Sequence, residues 1–456
     1  MNPHLVLLLV YSAGLVALGL VVGRLVRGSA SFFVAGRRLS PLLVFATMLA
    51  ANIGAGSTVG AASLGYQLGW GAWWWNGSAG LGTLVLAWWI GPRLWREASA
   101  HGFLTLGDYL EFRYTPTVRL VVALVLWSIT VFVLAAQLIG VSSVLQVVAG
   151  QPRWVGAVVG GALMLTYFVA GGLLSSAWVN LVQLVVMMVG FLAAVPYALA
   201  ATHGIPVTAG TGPSVPQSLL QGTFLIPLLA PAFVVSPGLV QKVYGAVDER
   251  AVRMGVGLSG LALLLFALLP PLLGLCARAL HPGLQSADLA LATVLVHDVP
   301  PVVGSLGLAA VFSAEVSSAD AALFMLATSL SQDLYRRFLR PAATDAQVLL
   351  AARGAAVAGG VVGMALAVVL PTVVTALTAF YSLLTVLLFV PVIAAVALKN
   401  VAGVDALLSM AAGVAVTLTT QFTVGSAGWH GWGPAPLGLA ASAGAFSVSS
   451  LIRSRA

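Results

Sequence analysis

Long apolar stretches separated by short polar segments make up most of this sequence. Each stretch is long enough to cross a hydrocarbon layer of about 30 Å as a helix. We count thirteen of them, at about 4–26, 41–66, 69–92, 117–149, 153–173, 176–200, 219–242, 252–277, 303–331, 349–371, 373–398, 403–422 and 434–452. The pattern therefore predicts an all-α polytopic membrane protein with about thirteen transmembrane helices.

The order of the stretches suggests an internal repeat. Five stretches fall in 41–200 and five in 219–398, separated by a loop at 201–218. Because five is odd, the second block enters the membrane from the opposite side and is inverted. One helix with its loop, 1–40, precedes the blocks, and two helices, 399–456, follow them. We expect the first stretch to be a retained transmembrane helix, because it has no basic leader or clear cleavage site.

Each block begins with a helix that carries breaking residues. The first contains the sequence LAANIGAGSTVG at 49–60, and the second contains four breakers, Pro227, Pro231, Pro237 and Gly238. A glycine inside a helix costs about 1 kcal/mol relative to alanine. Paired interrupted helices in inverted halves are typical of the central site of a transporter. Close packing of helices through small residues is the alternative explanation.

Composition and charge agree with this class. The chain has 456 residues, of which 60% are hydrophobic and 7% charged, and its formal net charge is +8. With the first residue outside, 18 of the 20 Lys and Arg residues fall on the cytoplasmic side, and only Arg153 and Arg278 fall outside. The excess of Lys and Arg residues thus predicts the orientation of the chain in the membrane, and we expect no nucleic-acid partner. A single cysteine, Cys276, and six scattered histidines favour no metal-dependent enzyme.

The candidate chemistry lies on the helix at 303–331. Glu315 and Asp320 are the acidic residues deep in a span, and Ser317 and Ser318 lie between them. Hydroxyls, carbonyls and carboxylates suit a small hard cation such as Na⁺. The serines can instead bond back to carbonyls of their own helix. Because two acids lie so close to them, we favour an ion site.

Six stretches together resemble the sodium:solute symporter family. They are FFVAGRRLSP at 32–41, AANIGAGSTVG at 50–60, FLTLGDYLEFRY at 103–114, GGLLSSAWVNLVQ at 171–183, SPGLVQK at 236–242 and SSADAALFMLATSLSQDLYRRF at 317–338. The resemblance implies the five-plus-five inverted-repeat fold of the leucine-transporter type. It also implies a sodium site between the first broken helix and the helix at 303–331.

Matching positions with the family assigns five residues of this sequence to that sodium site. The carbonyls of Ala50, Ile53 and Ala314 and the hydroxyls of Ser317 and Ser318 would bind Na⁺, the co-transported ion. The resemblance and the site position together give candidate contacts for the solute, namely Asn52, Gly54, Ser57, Trp74, Ser236 and Tyr381.

The chain also departs from the pattern of this family. Asn180 stands where many members carry a sodium-linked aspartate, and Asp320 and Ala321 stand where a second sodium site places serines. Asn180, Asp320 and Glu315 are therefore candidates for a second cation or proton site. Gly238 stands where sugar carriers have a gating tyrosine, so an amino acid or carboxylate is favoured over a hexose. Glu315 is either a proton-coupling acid or a neutral buried carboxylic acid.

These observations predict a sodium-coupled symporter of the inner membrane that imports a small organic solute by alternating access. The N-terminus is expected outside and the C-terminus in the cytoplasm. A proton-coupled carrier that uses Glu315 and Asp320 is the nearest alternative, and a solute sensor without transport is a more distant one. We expect no enzyme activity, because no catalytic set of side chains lies within the spans.

Overall fold

The computed structural model describes residues 3–23, 35–206, 214–426, 428–429 and 432–455. For residues 3, 16, 18–20, 22–23, 35, 167–178 and 455 it describes only the backbone. Two parts of the motifs quoted above, residues 32–34 and the side chains of 171–178, lie outside this description, as do Arg24 and Arg27.

The described part of the chain folds almost entirely into helices. They are α1 Pro3–Gly23, α2 Pro41–Asn52, α3 Ala61–Leu68, α4 Trp73–Val85, α5 Gly91–His101, α6 Leu106–Arg113, α7 Pro116–Ala149, α8 Arg153–Ala201, α9 Val215–Gly222, α10 Ile226–Val235, α11 Pro237–Tyr244, α12 Glu249–Phe266, α13 Leu269–Leu280, α14 Ala290–His297, α15 Pro301–Thr328, α16 Asp345–Val369, α17 Val373–Ala397, α18 Gly403–Thr423 and α19 Pro434–Arg455. Three π-helical segments join or extend them, at Gly56–Gly60, Leu86–Ile90 and Ser329–Leu339.

The described residues do not confirm the number of crossings that the sequence pattern predicts. Within the described residues, nine helices are long and apolar enough to cross a membrane, or ten if the bent pair that begins at α2 counts as one. The predicted thirteen are therefore not confirmed. Much of the difference lies in broken or partly described elements, because α8 alone carries the predicted spans 153–173 and 176–200. The boundaries of the predicted repeat blocks stay predictions.

Helix α8 is 49 residues long. At 1.5 Å per residue it measures about 73 Å, more than twice the hydrocarbon thickness of a bilayer. The predicted boundary between its two spans falls among residues 167–178, whose side chains are outside the description. The apolar segments on either side, Arg153–Thr166 and Val179–Ala201, are found where the hydrophobic pattern places them.

Helix α15 occupies the centre of the molecule. The apolar window of the span Pro301–Leu339 is 83% buried, against 22% for Pro434–Ser454. α15 packs against α1, α7, α8 and α16. A helix that is apolar on nearly every face and enclosed by others does not face lipid. Its polar side chains are consequently held by protein groups.

An ion-pair cluster joins α6, the start of α7 and the π-helical segment after α15. The guanidinium of Arg119 contacts Asp108 at 2.7 Å, Glu111 at 3.0 Å and Asp333 at 2.8 Å. Arg337 also bonds Glu111. Burial alone would raise the pKa of Glu111, but the hydrogen bonds from Arg337 and Arg119 outweigh it and lower that pKa. The cluster fixes three elements to one another at one end of the bundle.

Replacement of Arg119 should destabilise the protein strongly. Arg119→Ala leaves the buried carboxylate of Asp333 without its cation, and loss of one partner from a buried pair costs about 3–5 kcal/mol. We expect a clear fall in the thermal unfolding midpoint of the detergent-purified protein. Arg336→Ala is the control, because that pair with Asp345 is long, at 3.8 Å, and exposed. Such a pair contributes about 0–1 kcal/mol, and equal effects of the two variants would contradict a structural role for the cluster.

Candidate functional site

The first broken helix separates at Ile53–Ala55. α2 ends at Asn52, Ile53 adopts extended torsions of −98° and 99°, and helical geometry resumes with the π-helical turn Gly56–Gly60. The chain direction changes by 61° across this break. A break of this kind frees the carbonyls of the turn before it, because their usual amide partners have moved away.

Hydroxyl groups of α15 form hydrogen bonds with the freed carbonyls of α2. Ser317 Oγ donates to the carbonyl of Ala50 at 2.9 Å and to that of Ala314 on its own helix at 3.0 Å. Ser318 Oγ lies 3.2 Å from the carbonyl of Ala51 and 3.5 Å from that of Ala50. Four of the five predicted ion ligands thus converge on one point between α2 and α15.

Ile53, the fifth predicted ligand, is fully buried in the break itself. Its neighbour Gly54 faces α15 so closely that an added Cβ would overlap the side chain of Ser318 and lie 2.7 Å from Gln137 Oε1. Only glycine permits this approach of backbone to hydroxyl. The structure therefore brings four predicted ligands into contact and buries the fifth, Ile53, next to the glycine that packs against Ser318.

Several further polar groups of the break also have partners within the protein. The amide of Ala55 donates to Gln137 Oε1 on α7 at 2.7 Å. Ser57 Oγ bonds the carbonyl of Asn52 at 2.6 Å, and Thr58 Oγ1 bonds that of Gly54 at 2.9 Å. The unwound segment is held from both sides, which makes it an ordered element with defined geometry.

The second broken helix separates at Ser236. Its torsions of −55° and 120° separate α10 from α11. Pro237 is the first residue of α11, a position at which the missing N–H of proline costs no helical hydrogen bond. Of the four predicted breakers, Pro237 and Gly238 lie at this break, whereas Pro227 opens α10 and Pro231 lies inside it. The segment Val215–Tyr244 continues as one span. The N-terminal turn of α11 faces the first break across a small cavity.

That cavity has a volume of about 60 Å³. Its lining comes from both breaks and from α7, α15 and α17, and consists of Ala51, Asn52, Gly54, Gly56, Ser57, Val133, Gln137, Phe233, Ser236, Gly238, Leu239, Ser318, Ala321, Ala322, Met325, Leu377, Phe380 and Tyr381. None of these side chains, all within the described residues, carries a formal charge. Five of the six predicted solute contacts are in this lining.

Trp74 is the predicted contact that the cavity does not include. Its indole Nε1 donates to the carbonyl of Leu219 at 2.9 Å, so the ring turns toward α9. The neighbouring Trp75 points the other way, is 3% exposed, and lies edge-on to Tyr381 with 6.3 Å between the ring centroids. The run of tryptophans at 73–75 offered no way to choose between the two.

The three candidates for a second cation or proton site have three different sets of neighbours. Glu315 bonds Thr58 Oγ1 at 3.1 Å, and its carboxyl fits beside Gly140 of α7. Asp320 is five residues farther on, about 140° around the helix, and acts electrostatically on Lys242 of α11. Asn180 Nδ2 lies 3.4 Å from Thr47 Oγ1. Glu315 and Asp320 thus face different neighbours.

Lys242 was assigned to the cytoplasmic end of its span, among the cations that set orientation. The structure buries it instead, with 3% of its surface exposed and Nζ 3.4 Å from the carbonyl of Gly238. The reason is that α11 is only eight residues long, so its last turn is still inside the bundle.

The sequence profile of the sodium:solute symporter family matches residues 32–413. The chain belongs to this family. Membership confirms the resemblance drawn from the six motifs and makes the chain a multi-pass membrane protein.

Curated relatives and a solved structure agree with this assignment. The chain is 25% identical to the uncharacterized symporter YidK of Escherichia coli, over 71% of the chain and 60% of that protein. It is 26% identical to the sodium/pantothenate symporter of Escherichia coli, over 67% of the chain and 66% of that protein. The chain thus spans less than two thirds of the length of these relatives.

A solved structure of a Na⁺-coupled sialic acid symporter, in a substrate-bound outward-open state, superposes with a TM-score of 0.81. The two chains are 15% identical, and the match covers 98% of each. The likeness shows the fold, which is the inverted-repeat fold predicted from the motifs.

Sequence reasoning missed two residues of the site. Gln137 holds the amide at the break, and Phe233 of α10 closes the cavity against Tyr381, with 5.4 Å between the ring centroids. The sequence does mark Gln137 as a candidate, because a side-chain amide in the middle of an apolar span is costly unless it has a hydrogen-bond partner. No feature of the sequence marks Phe233, since aromatic residues are common in apolar spans.

Gln137→Ala should weaken the first break. The variant leaves the buried amide of Ala55 without its acceptor, and an unsatisfied buried donor costs about 1–3 kcal/mol. We expect a lower thermal unfolding midpoint. Gln146→Ala on the same helix is the matched control, because Gln146 is exposed. If both variants unfold at the same temperature as the parent, Gln137 does not support the break.

Proposed function

We propose that the chain is a sodium-coupled symporter that imports a small organic solute by alternating access. The observation that carries this proposal is the convergence of Ser317 and Ser318 on the carbonyls of Ala50 and Ala51, which belong to a different helix. Hydroxyl and carbonyl oxygens without a nearby carboxylate ligand favour a monovalent hard cation. Membership of the family and the fold support the same reading.

The proposed sodium ligands are the carbonyls of Ala50, Ile53 and Ala314 and the hydroxyls of Ser317 and Ser318. Sodium is cargo here, released in each cycle. In the present arrangement each hydroxyl donates its hydrogen to a carbonyl. To bind the cation, both kinds of oxygen turn their lone pairs to it, so that the ion replaces direct contacts between α2 and α15.

Coupling follows from the position of this site. The ion ties the broken helix to α15, while the cavity that would hold the solute has walls from the same break. A ligand shifts a conformational equilibrium only by its differential affinity for the two states. Sodium bound across this contact favours the state that accepts the solute, and closure then carries both to the other side.

The proposed solute contacts are Asn52, Gly54, Ser57, Ser236 and Tyr381. Trp74 is not among them, because its ring turns toward α9. An amino acid or carboxylate suits the cavity, because the described bonds leave the amide of Gly238 in the first turn of α11 for an anionic group, whereas those of Leu239 and Val240 bond the carbonyl of Ser236. The similarity to a sodium/pantothenate symporter supports a carboxylate-bearing solute. A compact cavity of about 60 Å³ favours small members of these classes.

We also propose that Asn180 and Asp320 form part of a second cation site. Gln183, three residues after Asn180 on α8, is fully buried, and neither of its amide atoms has a hydrogen-bond partner within the described part of the chain. A bound ion or its water would satisfy such groups. The alternative of proton coupling is supported by the two buried carboxyls of Glu315 and Asp320.

The proposed location is the inner membrane, with the N-terminus outside and the C-terminus in the cytoplasm. The distribution of Lys and Arg residues supports this orientation.

Uptake in proteoliposomes tests the proposal. A panel of amino acids, carboxylates and sugars is offered with a sodium gradient and a pH gradient imposed separately. We expect sodium alone to drive uptake of at least one small amino acid or carboxylate. Uptake driven by the pH gradient without sodium would establish the proton-coupled alternative, and absence of any flux would favour a sensor.

The double variant Ser317→Ala/Ser318→Ala should lose sodium-driven uptake, because it removes both hydroxyl ligands. Loss of two ligand bonds at about 1.5 kcal/mol each predicts a fall in sodium affinity of about 100-fold or more, measured by binding of radioactive sodium. Ser331→Ala is the matched control, because that buried hydroxyl only bonds back to Ala327. Unaltered sodium affinity in the double variant would refute the ligand assignment.

Asp320→Asn tests the second site. If Asp320 binds a second cation, the variant should change the number of sodium ions moved with each solute, as measured from paired radiotracer fluxes. An unchanged ratio and unchanged ion dependence would remove Asp320 from the coupling machinery.

A further inference from the structure

A second cavity lies beyond the first along α15. It has a volume of about 20 Å³ and runs from Pro237 and Gln241 of α11 toward Thr105 and Asp333. Its lining consists of Thr105, Leu106, Gly107, Leu126, Pro237, Gln241, Met325, Thr328, Ser329 and Asp333. Five of these side chains are polar, so the space suits water and polar cargo.

Met325 is the residue that the linings of these two cavities share. Ala321 of α15 precedes Met325 by four residues and lines the first cavity. Ser329, the first residue of the π-helical segment, follows Met325 by four residues and lines the second. Residues at spacing i, i+4 and i+8 occupy one face of a helix. This face thus passes continuously from one cavity to the other, and the side chain of Met325 stands between them.

Gly238 of α11 forms the opposite wall at this point. A Cβ added to Gly238 would lie 3.1 Å from Met325 Sδ and 3.2 Å from its Cγ. The space that a side chain at 238 would use is therefore filled by the methionine. The two helices approach through one flexible thioether, and the described structure shows no hydrogen bond or ion pair that joins Met325 to Gly238.

We propose that Met325 is the inner gate of the solute pathway, and that the second cavity is the exit route to the cytoplasm. Methionine has three rotatable bonds and no branch, so its side chain can turn aside at low energetic cost. Rotation of Met325 joins the two cavities into one polar path between α11 and α15. The inference rests on the proposed transport function and names the residue that separates its cavity from the cytoplasmic side.

The far end of the exit route has its own closure. Asp333 accepts hydrogen bonds from Thr105 Oγ1 at 2.5 Å and from Arg119 Nε at 3.0 Å, which ties the end of the route to α7. Gly107 lies against the same carboxylate, where an added Cβ would be 2.6 Å from Oδ1. Opening to the cytoplasm thus requires two events, rotation of Met325 and separation of this cluster.

Cysteine accessibility tests the gate directly. The natural chain has one cysteine, Cys276, which is buried, so Cys276→Ala gives a background free of thiols. Ala321→Cys reports on the first cavity and Ser329→Cys on the second. A membrane-impermeant thiol reagent is applied to the cytoplasmic face of inside-out vesicles, with no sodium or solute present.

Transient separation of the Asp333 cluster admits the reagent to the second cavity, so we expect Ser329→Cys to react, and Ala321→Cys, which lies behind Met325, to react slowly. Adding Met325→Ala should raise the reaction rate of Ala321→Cys by about tenfold or more, while the rate of Ser329→Cys stays within about twofold; a tenfold change corresponds to about 1.4 kcal/mol of lost barrier. Adding Gly238→Leu to the Met325→Ala protein should slow the reaction again, because the new side chain refills the space from the opposite wall. Gly238 is not among the glycines with positive φ, and the atoms nearest to an added Cβ all belong to Met325, so a side chain at 238 has room once residue 325 is alanine.

Two results would overturn the proposal. One is an unchanged rate for Ala321→Cys after Met325→Ala, in protein whose size-exclusion profile and unfolding midpoint match the parent. The other is a Ser329→Cys protein that does not react from the cytoplasmic face. Because the labelling needs neither ion nor solute, a failure of sodium-driven uptake would leave its outcome interpretable.

Discussion

Every backbone group that the first break exposes inside the bilayer must find a partner within the protein, and this requirement governs the rest of the structure. A break in hydrocarbon cannot be satisfied by water, and each orphaned group costs several kcal/mol. Two serine hydroxyls of α15, the amide of Gln137 on α7, and the local hydroxyls of Ser57 and Thr58 meet the need here. Helix α15 is enclosed on nearly all sides because it has to deliver those hydroxyls to the centre of the molecule.

Features that depend on local sequence could be predicted well. The break at Gly54 and the second break near Pro237 each follow from residues within about ten positions of one another, and the apolar spans from windows of about twenty. The structure places Ser317 and Ser318 against carbonyls of the broken helix, and their role as ion ligands stays a prediction. The family and its fold followed from motifs that combine these same residues, and both were confirmed.

Features that depend on how helices meet could not be read from the sequence. Gln137 could be marked as polar, but its acceptor role for Ala55 needs the position of α7. Three adjacent tryptophans do not reveal which ring faces Tyr381. Lys242 looked like a boundary cation, and only the short length of α11 places it inside. The boundary within α8 likewise has no local signal strong enough to fix it.

The uncharged lining of the solute cavity has an electrical consequence. In a symporter of the kind proposed here, a solute without net charge travels with its cation, and no side chain of the cavity wall offsets that ion's charge. The loaded carrier then moves net positive charge inward, whereas the empty carrier returns without it. A membrane voltage does work of about 2.3 kcal/mol per elementary charge per 100 mV. The resting potential of the cell would therefore drive accumulation through the loaded step, in addition to the concentration gradient of the ion.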